Sequence, residues 1–166
     1  MPAKPIFFED LDPSKIKTSE ISNRAEQIKS LLSQQSFCVL CTQGHSQPYG
    51  SLIAYAFTDD LHQFFFTTPV TTRKYELLSE CPQVALVIDS RCQHRDDLTK
   101  VDAVTITGTA TLVQSGADFN QGIALLKNRH PYLENLLETA FTALFRIDEV
   151  RYFYVTRFQE VSQWIP

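Results

Sequence analysis

Apolar residues recur at helical spacing in an early segment of the chain. Over about residues 19–35 they return every three or four positions, and charged or amide residues fill the places between them. That pattern is typical of an amphipathic helix lying on a core. The apolar positions are Ile21, Ala25, Ile28, Leu31 and Leu32. The sequence therefore predicts an N-terminal helix here, preceded by an extended leader over residues 1–12.

Short apolar runs separated by turn residues follow this helix and predict strands. Residues 37–42 form the first run, residues 48–58 a longer second run, and the aromatic residues 64–66 begin a third. Polar turn residues separate the runs, so we expect three sequential antiparallel strands. A continuous apolar run at residues 84–88 predicts a further strand that is covered on both faces.

The second half of the chain changes between strand and helix patterns. Residues 101–113 alternate as a strand and contain Gly108, which indicates a bulge or a close approach by another group. Helical spacing at residues 117–129, with a second helical piece after Pro131, predicts a helical insertion. Residues 143–158 predict one or two final strands.

These elements together predict a mainly β protein with peripheral helices, of the α+β class. About six strands run mostly in sequential antiparallel order, and closing them into a small barrel removes the exposed edges. At 166 residues the chain is expected to form one domain. The barrel is expected over about residues 36–115 and 143–160, and the helical insertion over about residues 116–141. Val161 and Trp164 then fall in a short tail.

Composition narrows the classes of function. Hydrophobic residues make up 43% and charged residues 20% of the chain, as in ordinary globular domains. The net charge of −4 and the pI near 5.5 disfavour nucleic acid and anionic lipid as partners. No apolar run approaches the roughly 20 residues that span a bilayer, and the N-terminus lacks a signal-peptide core. We therefore expect a cytoplasmic protein with no membrane partner.

The cysteines and histidines do not indicate a metal site. Cys38 and Cys41 form a C-x-x-C, but they lie on a predicted strand, where residues three apart point to opposite faces. We expect structural cysteines and no bound metal. The histidines fall in predicted turns and loops, so a solvated role is expected for each of His45, His62, His94 and His130. The charged loop around His94 has an alternative interpretation as a substrate loop.

The most informative stretch is the passage from the aromatic strand to a helix, over residues 63–78. Hydroxyl groups, free backbone N–H groups and two adjacent cations, Arg73 and Lys74, gather there within one helical turn. The first N–H groups of a helix lack partners and its dipole favours negative charge, so this place suits a phosphate. The alternative is that Thr71 or Thr72 only caps the helix while the two cations lie in water.

Four sequence blocks carry a resemblance to a known family: residues 47–55 (QPYGSLIAY), 65–74 (FFTTPVTTRK), 81–87 (CPQVALV) and 104–110 (VTITGTA). Over roughly residues 36–113 the chain resembles the FMN-binding split-barrel family, whose best-known members are the pyridoxamine 5′-phosphate oxidases. The resemblance implies that Thr72, Arg73 and Lys74 hold the phosphate of FMN and that the first block lies along the isoalloxazine ring. The other flavin-binding residues that we expect are Tyr49, Ser51, Leu52, Ile53, Phe66, Thr67, Thr68 and Thr71.

Two departures from the oxidases bear on function. The oxidases carry an arginine and a lysine in and directly after the first block, where this chain has Ser51 and Ala56, and the tail lacks their Arg-x-His-type substrate clamp. The resemblance therefore implies a relative of the oxidases that is not a vitamin B6 enzyme. It also implies a homodimer with FMN at the subunit interface. Trp164 is expected either to cover the flavin of the partner subunit or to pack locally.

These expectations give one leading function and two alternatives. The leading one is an FMN-dependent oxidoreductase acting on a small organic substrate, in which the cofactor supplies the redox chemistry and no catalytic side chain is identified. The first alternative is a non-catalytic flavin-binding or flavin-sensing module. The second is a haem-handling split-barrel protein, for which His94 is the candidate ligand.

Overall fold

One antiparallel sheet with helices at its periphery makes up the part of the chain that the structure describes. The structure is a computed structural model and describes residues 18–156 and 160–166. Its helices are α1 (Thr18–Gln34), α2 (Arg73–Glu80), α3 (Ala117–Arg129) and α4 (Glu134–Leu137). Its strands are β1 (Phe37–Gly44), β2 (Gln47–Ala54), β3 (Ala56–Phe57), β4 (Phe64–Pro69), β5 (Gln83–Asp89), β6 (Ala103–Val113), β7 (Thr142–Thr156) and β8 (Glu160–Trp164). Short 3₁₀ turns occur at Leu98–Lys100 and Pro131–Leu133.

The predicted α+β class and the curled antiparallel sheet of split-barrel type are confirmed. The strand order is β2-β1-β5-β6-β7-β4-β3, and β8 pairs with β7. Eight strands occur among the described residues where six were expected. The predicted strand at residues 48–58 is divided at Tyr55, and the predicted tail at Val161 and Trp164 is the edge strand β8. The leader predicted for residues 1–12, and the end of the last strand at residues 157–158, lie outside the described residues.

The prediction of three sequential strands is wrong in its pairing. The β1–β2 hairpin and the β3–β4 pair form, but β1 takes β5 as its second neighbour and β4 takes β7. The chain leaves the first hairpin at Tyr55, whose side chain is fully buried. Its hydroxyl lies 2.8 Å from the carbonyl oxygens of both Leu32 and Gln35 at the end of α1. These bonds hold Tyr55 between β2 and β3, which lie at opposite ends of the strand order.

The aromatic strand β4 is buried on both faces. Phe64 and Phe66 pack in the main core, whereas Phe65 packs on the opposite face in a cluster with Leu126 of α3 and Leu144 of β7. All three phenylalanines are fully buried. The helical insertion therefore fixes the position of β4, and with it the start of α2.

The strand β5 is buried on one face only, which corrects the expectation of cover on both faces. Val84, Leu86 and Ile88 are buried, while Ala85 and Val87 on the other face are half-buried. Helix α1 packs on the inner face of this strand, whereas α3 covers the opposite face of the sheet at β3, β4 and β7. The outer face of β5 is therefore an open apolar surface.

Gly108 lies opposite a bulge in β7, so the bulge or close approach that its position in the sequence indicated is confirmed. The register of β6 against β7 shifts between Thr107 and Thr109. A Cβ at Gly108 would lie 2.6 Å from Ile147 Cγ2 and 2.7 Å from the carbonyl oxygen of Asp148. The extra residue is in β7, where Glu149 and Val150 lie opposite the single residue Gly108, and Glu149 adopts a φ of 54°, in the left-handed region. The bulge thus depends on a residue without a side chain.

His130 is buried, so the prediction of a solvated role is wrong for this histidine. Only 1% of it is exposed, and its Nε2 lies 2.8 Å from the carbonyl oxygen of Tyr55. The preceding residue, Arg129, donates to the carbonyl oxygens of Leu32 and Gln35 and stacks over the Tyr55 ring. The end of α3 is therefore bound to the end of α1 through buried polar groups. No helix in the described part of the chain is long and apolar enough to cross a membrane.

Candidate functional site

The junction between β4 and α2 holds the predicted phosphate-binding residues. Thr72 is the N-cap of α2, with φ −89° and ψ 150°, and its hydroxyl accepts from the backbone N–H of Tyr75 at 3.4 Å. The same hydroxyl donates to the carbonyl oxygen of Pro69 at 2.9 Å. Since a hydroxyl has one proton, Thr68 must be the donor in the 2.8 Å bond between Thr68 and Thr72. The capping role foreseen for Thr71 or Thr72 is therefore confirmed for Thr72.

Thr72 consequently has no proton left for an anion while these bonds persist. The donors that remain at the start of α2 are the backbone N–H groups of Arg73 and Lys74, for which the described residues provide no acceptor. Neither cation forms an ion pair within the described residues. Arg73 is exposed and Lys74 is half-buried. The positive end of the helix dipole reinforces both charges.

The first sequence block lies beside this junction. The guanidinium of Arg73 lies 5.7 Å from the ring centroid of Tyr49, so β2 and the start of α2 are in contact through a cation–π pair. Two residues further along β2, the hydroxyl oxygen of Ser51 is buried and has no hydrogen-bond partner in the described chain. A buried polar atom without a partner costs stability, so Ser51 is a second indication of a ligand here.

The other predicted ring residues do not all share this face. Successive side chains of a strand point to opposite sides. Leu52 accordingly projects from the outer face and is 68% exposed, while Ile53 is 5% exposed and belongs to the core. Phe66 is fully buried and stacks on Phe145 at 5.4 Å. The side chains that the structure brings together at the junction are those of Tyr49, Thr68, Thr72 and Arg73.

Thr67, Thr71 and Trp164 complete the set of predicted residues. Thr71 is exposed beside the N-cap, and Thr67 is half-buried on the face of β4 opposite to Thr68. Trp164 lies in β8 with its ring 4.9 Å from that of Tyr152, so within one chain it packs locally at the sheet edge. No contact in the described structure links Trp164 to the junction.

The junction is an open surface in the single chain. Three clefts of about 460–480 Å³ lie elsewhere, and neither Arg73 nor Lys74 lines any of them. The described residues contain no grouping of three or more His, Cys, Asp or Glu side chains that would hold a metal ion. Because Thr71 and Arg73 are exposed, a ligand at the junction is open to solvent unless a second surface covers it.

Sequence reasoning missed the largest of these clefts, between α1 and the loop that follows β5. We call it the α1 cleft; its charged residues are Arg24 and Asp102, and its floor includes Tyr154. These three residues come from separate segments of the chain. The only local signal was the charged loop around His94, which forms part of its wall.

Comparison with known proteins gives a family and a fold. Residues 25–164 match the family model described as pyridoxamine 5′-phosphate oxidase. A protein from Clostridium acetobutylicum, related to general stress protein 26 of B. subtilis and assigned to the pyridoxinephosphate oxidase family, has a TM-score of 0.66 at 14% identity. That alignment covers 86% of this chain and 94% of the other. A comparison with curated protein sequences gives no match.

Two further solved structures with the same fold are described by their haem ligands. A haem binding protein from Mycobacterium smegmatis has a TM-score of 0.74 at 14% identity, with 84% of this chain and 56% of that chain covered. The haem storage protein HutZ from Vibrio cholerae has a TM-score of 0.65 at 19% identity, and the alignment covers 74% of this chain and 87% of that chain. The present chain thus spans little more than half the length of the mycobacterial protein. At these identities the likeness concerns the fold.

Proposed function

Because the chain belongs to the pyridoxamine 5′-phosphate oxidase family, we propose that it binds FMN at the β4–α2 junction and uses it as an oxidoreductase on a small organic substrate. The observation that supports this most is the pair of cations at the start of α2, Arg73 and Lys74, which have no carboxylate partner among the described residues. A phosphate group would supply the missing negative charge.

The donors at the junction fit a phosphate monoester. The backbone N–H groups of Arg73 and Lys74 begin the helix, and the exposed hydroxyl of Thr71 stands next to them. Charge-assisted bonds from a guanidinium and an ammonium to a phosphate are stronger than neutral hydrogen bonds. Thr72 acts indirectly, since its capping bonds hold the first turn of α2 in position. Thr68 supports Thr72 from the core side.

The residues of β2 fit the remainder of a flavin. The ring of Tyr49 lies at the surface next to Arg73, with 36% of the residue exposed. The unpaired hydroxyl of Ser51 would be satisfied by a polar atom of a bound cofactor. FMN, when bound, supplies hydride transfer, so no side-chain acid or base is required of this chain. The contribution of these residues is to bind the cofactor, orient it and exclude water.

We propose a homodimer because one chain leaves both the junction and the outer face of the sheet open. Strand register places Leu52, Val39 and Val87 side by side, and Phe153 lies in the same row beyond Thr105. Leu52 is 68% exposed. Burial of such an apolar row against a second copy is favourable. Tyr49 projects from the other face of β2, so a partner that also extends around this edge strand would cover the junction.

The decisive experiment is titration of dialysed, folded protein with FMN and with riboflavin. Binding of FMN at micromolar concentration, with weaker binding of riboflavin, supports the phosphate site. Equal affinity for the two flavins, or no uptake of either, overturns it. Anaerobic addition of NADH or NADPH then separates the functions. Bleaching of the flavin absorbance, with turnover when an acceptor is added, supports an oxidoreductase, whereas binding without turnover indicates a flavin-binding or flavin-sensing module.

A second candidate function is haem binding, which the description of two structural neighbours favours. His94 is the histidine available for this role, since it is half-buried in the wall of the α1 cleft. Buried His130 is engaged instead, with Nε2 at 2.8 Å from the Tyr55 carbonyl oxygen and Nδ1 at 3.4 Å from the Tyr132 hydroxyl. Titration with haemin tests this candidate. A haem absorbance band that is lost in His94→Ala supports it, and a band unchanged in that variant argues against His94.

A further inference from the structure

The α1 cleft is a second concave site, separate from the proposed flavin site. It has a volume of about 480 Å³, within the range of small-molecule pockets. Helix α1 forms one side, the loop after β5 forms the other, and the end of β7 forms the floor. None of the residues at the β4–α2 junction lines it.

Hydrogen bonds between distant segments hold the two sides of the cleft in place. The side-chain amide of Gln93 donates to Oε1 of Gln34 at 3.1 Å, which ties the loop to α1. Ser90 and Asp102 exchange two bonds of 2.9 Å, one from each backbone N–H. Ser90 is 5% exposed, so this link is part of the interior. These bonds fix the two sides of the cleft relative to each other.

Opposite charges flank the floor residue Tyr154. The guanidinium of Arg24 lies 5.3 Å from the Tyr154 ring centroid and donates to Oε1 of Gln27 at 3.2 Å. Within the described residues, neither Arg24 nor Asp102 is in an ion pair. Burial raises the pKa of Tyr154 to about 12, and the neighbouring Asp102 carboxylate adds to this shift. The Tyr154 hydroxyl therefore stays protonated, and it interacts with the Asp102 carboxylate.

The geometry points to a binding site for a small zwitterion of the amino-acid type, a free amino acid or a dipeptide. Arg24 would receive its carboxylate and Asp102 its ammonium group, and the amide side chains of Gln27, Gln34 and Gln93 would bond to its polar atoms. A guanidinium and a carboxylate lining one cleft without pairing to each other provide a separate partner for each end of such a molecule. A phosphate-rich ligand is disfavoured because Asp102 would repel it.

Matched dipeptides test the proposal on the full chain. The parent probe is alanyl-glutamine. N-acetyl-alanyl-glutamine lacks the ammonium charge, and alanyl-glutamine amide lacks the carboxylate. Calorimetric titration is expected to show millimolar or tighter binding of the parent and about tenfold weaker binding of each capped form. Absence of binding at tens of millimolar, or equal binding of all three, overturns the inference.

Two substitutions assign the charges. Arg24→Gln is expected to abolish the difference in affinity between alanyl-glutamine and its amide. Asp102→Asn is expected to abolish the difference in affinity between alanyl-glutamine and its acetylated form. Arg95→Gln is the matched control, because Arg95 follows His94 in the same loop but does not line the cleft. Unchanged discrimination in both cleft variants overturns the assignment. Far-UV circular dichroism checks the folding of both variants. If a variant is unfolded, the affinities of the three dipeptides for the unmodified chain decide whether the proposal holds. Binding of the parent that survives Lys74→Ala separates this site from the flavin site.

Discussion

The guanidinium of Arg73 lies 5.7 Å from the ring centroid of Tyr49, which joins the second strand to the start of the second helix. The contact holds one of the two cations at the junction over an aromatic surface while both remain accessible. An exposed cation–π pair contributes about 0.5–1 kcal/mol. Tyr49→Leu should therefore lower the free energy of unfolding only slightly but weaken FMN binding, because Arg73 loses its support. Tyr49→Phe is the control and should keep both properties; equal FMN affinity in all three proteins would remove Tyr49 from the site.

Lys74→Ala should weaken FMN binding by about 1–3 kcal/mol, because Lys74 is half-buried and its ammonium would make a charge-assisted bond to the phosphate. Fluorescence titration with FMN measures the change. The control is Lys100→Ala, since Lys100 pairs with Asp97 in the loop after β5, whereas α2 lies at the other end of that strand. Riboflavin affinity should hardly change in either variant. A Lys74→Ala protein with normal FMN affinity would exclude this side chain from the site.

Gly108→Ala should destabilise the fold by about 1–3 kcal/mol, because overpacking forces the neighbouring strand to move. The new Cβ would lie 2.6 Å from Ile147 Cγ2 and 2.7 Å from the Asp148 carbonyl oxygen. Gly50→Ala is the matched control, since its Cβ would meet Val39 Cγ1 at an ordinary 3.5 Å. Urea unfolding of the two variants gives the comparison. Equal stability of Gly108→Ala and the parent chain would show that the bulge tolerates a side chain.

Acid should destabilise the protein partly through His130. Burial lowers the pKa of His130 below its ordinary 6.5, and the Arg129 charge adds to this, while the Tyr55 carbonyl opposes it. The unfolded chain therefore binds a proton at His130 more readily than the folded chain does. The contribution of His130 to the free energy of unfolding is present above its ordinary pKa and is lost as the pH falls below that value. Urea midpoints at about pH 8 and about pH 5 measure the loss. His130→Gln should show a smaller fall than the parent; an equal fall would mean that other groups account for it.

Leu52→Glu should weaken the proposed homodimer, because it places a charge in the apolar row on the outer face of the sheet. The control is Leu98→Glu: Leu98 is 62% exposed, close to the 68% of Leu52, but lies in the loop after β5. Sedimentation over a range of protein concentrations gives the oligomeric state. A shift towards monomer in Leu52→Glu alone supports the interface. The proposed interface is contradicted if the unmodified chain is a monomer, or if neither substitution changes its dimerisation.

The sequence determined the elements whose signals are local. The spacing of apolar residues predicted α1 and α3, Gly108 predicted the bulge, and the threonines before Arg73 predicted the capped start of α2. Periodicity, capping and glycine conformation act over a few residues, so they can be read without knowledge of the fold. Strand alternation also implied that Leu52 and Ile53 face opposite sides, although the family resemblance placed both beside the flavin.

The tertiary structure alone decided which segments meet. The pairing of β1 with β5 and of β4 with β7, the burial of His130 and the contact of Arg73 with Tyr49 all join segments far apart in the chain. The α1 cleft likewise brings Arg24, Asp102 and Tyr154 together from three separate segments. Such contacts depend on how the whole core packs. The hydrophobic effect favours any arrangement that removes apolar surface from water, so a local sequence pattern does not specify which segment is the partner.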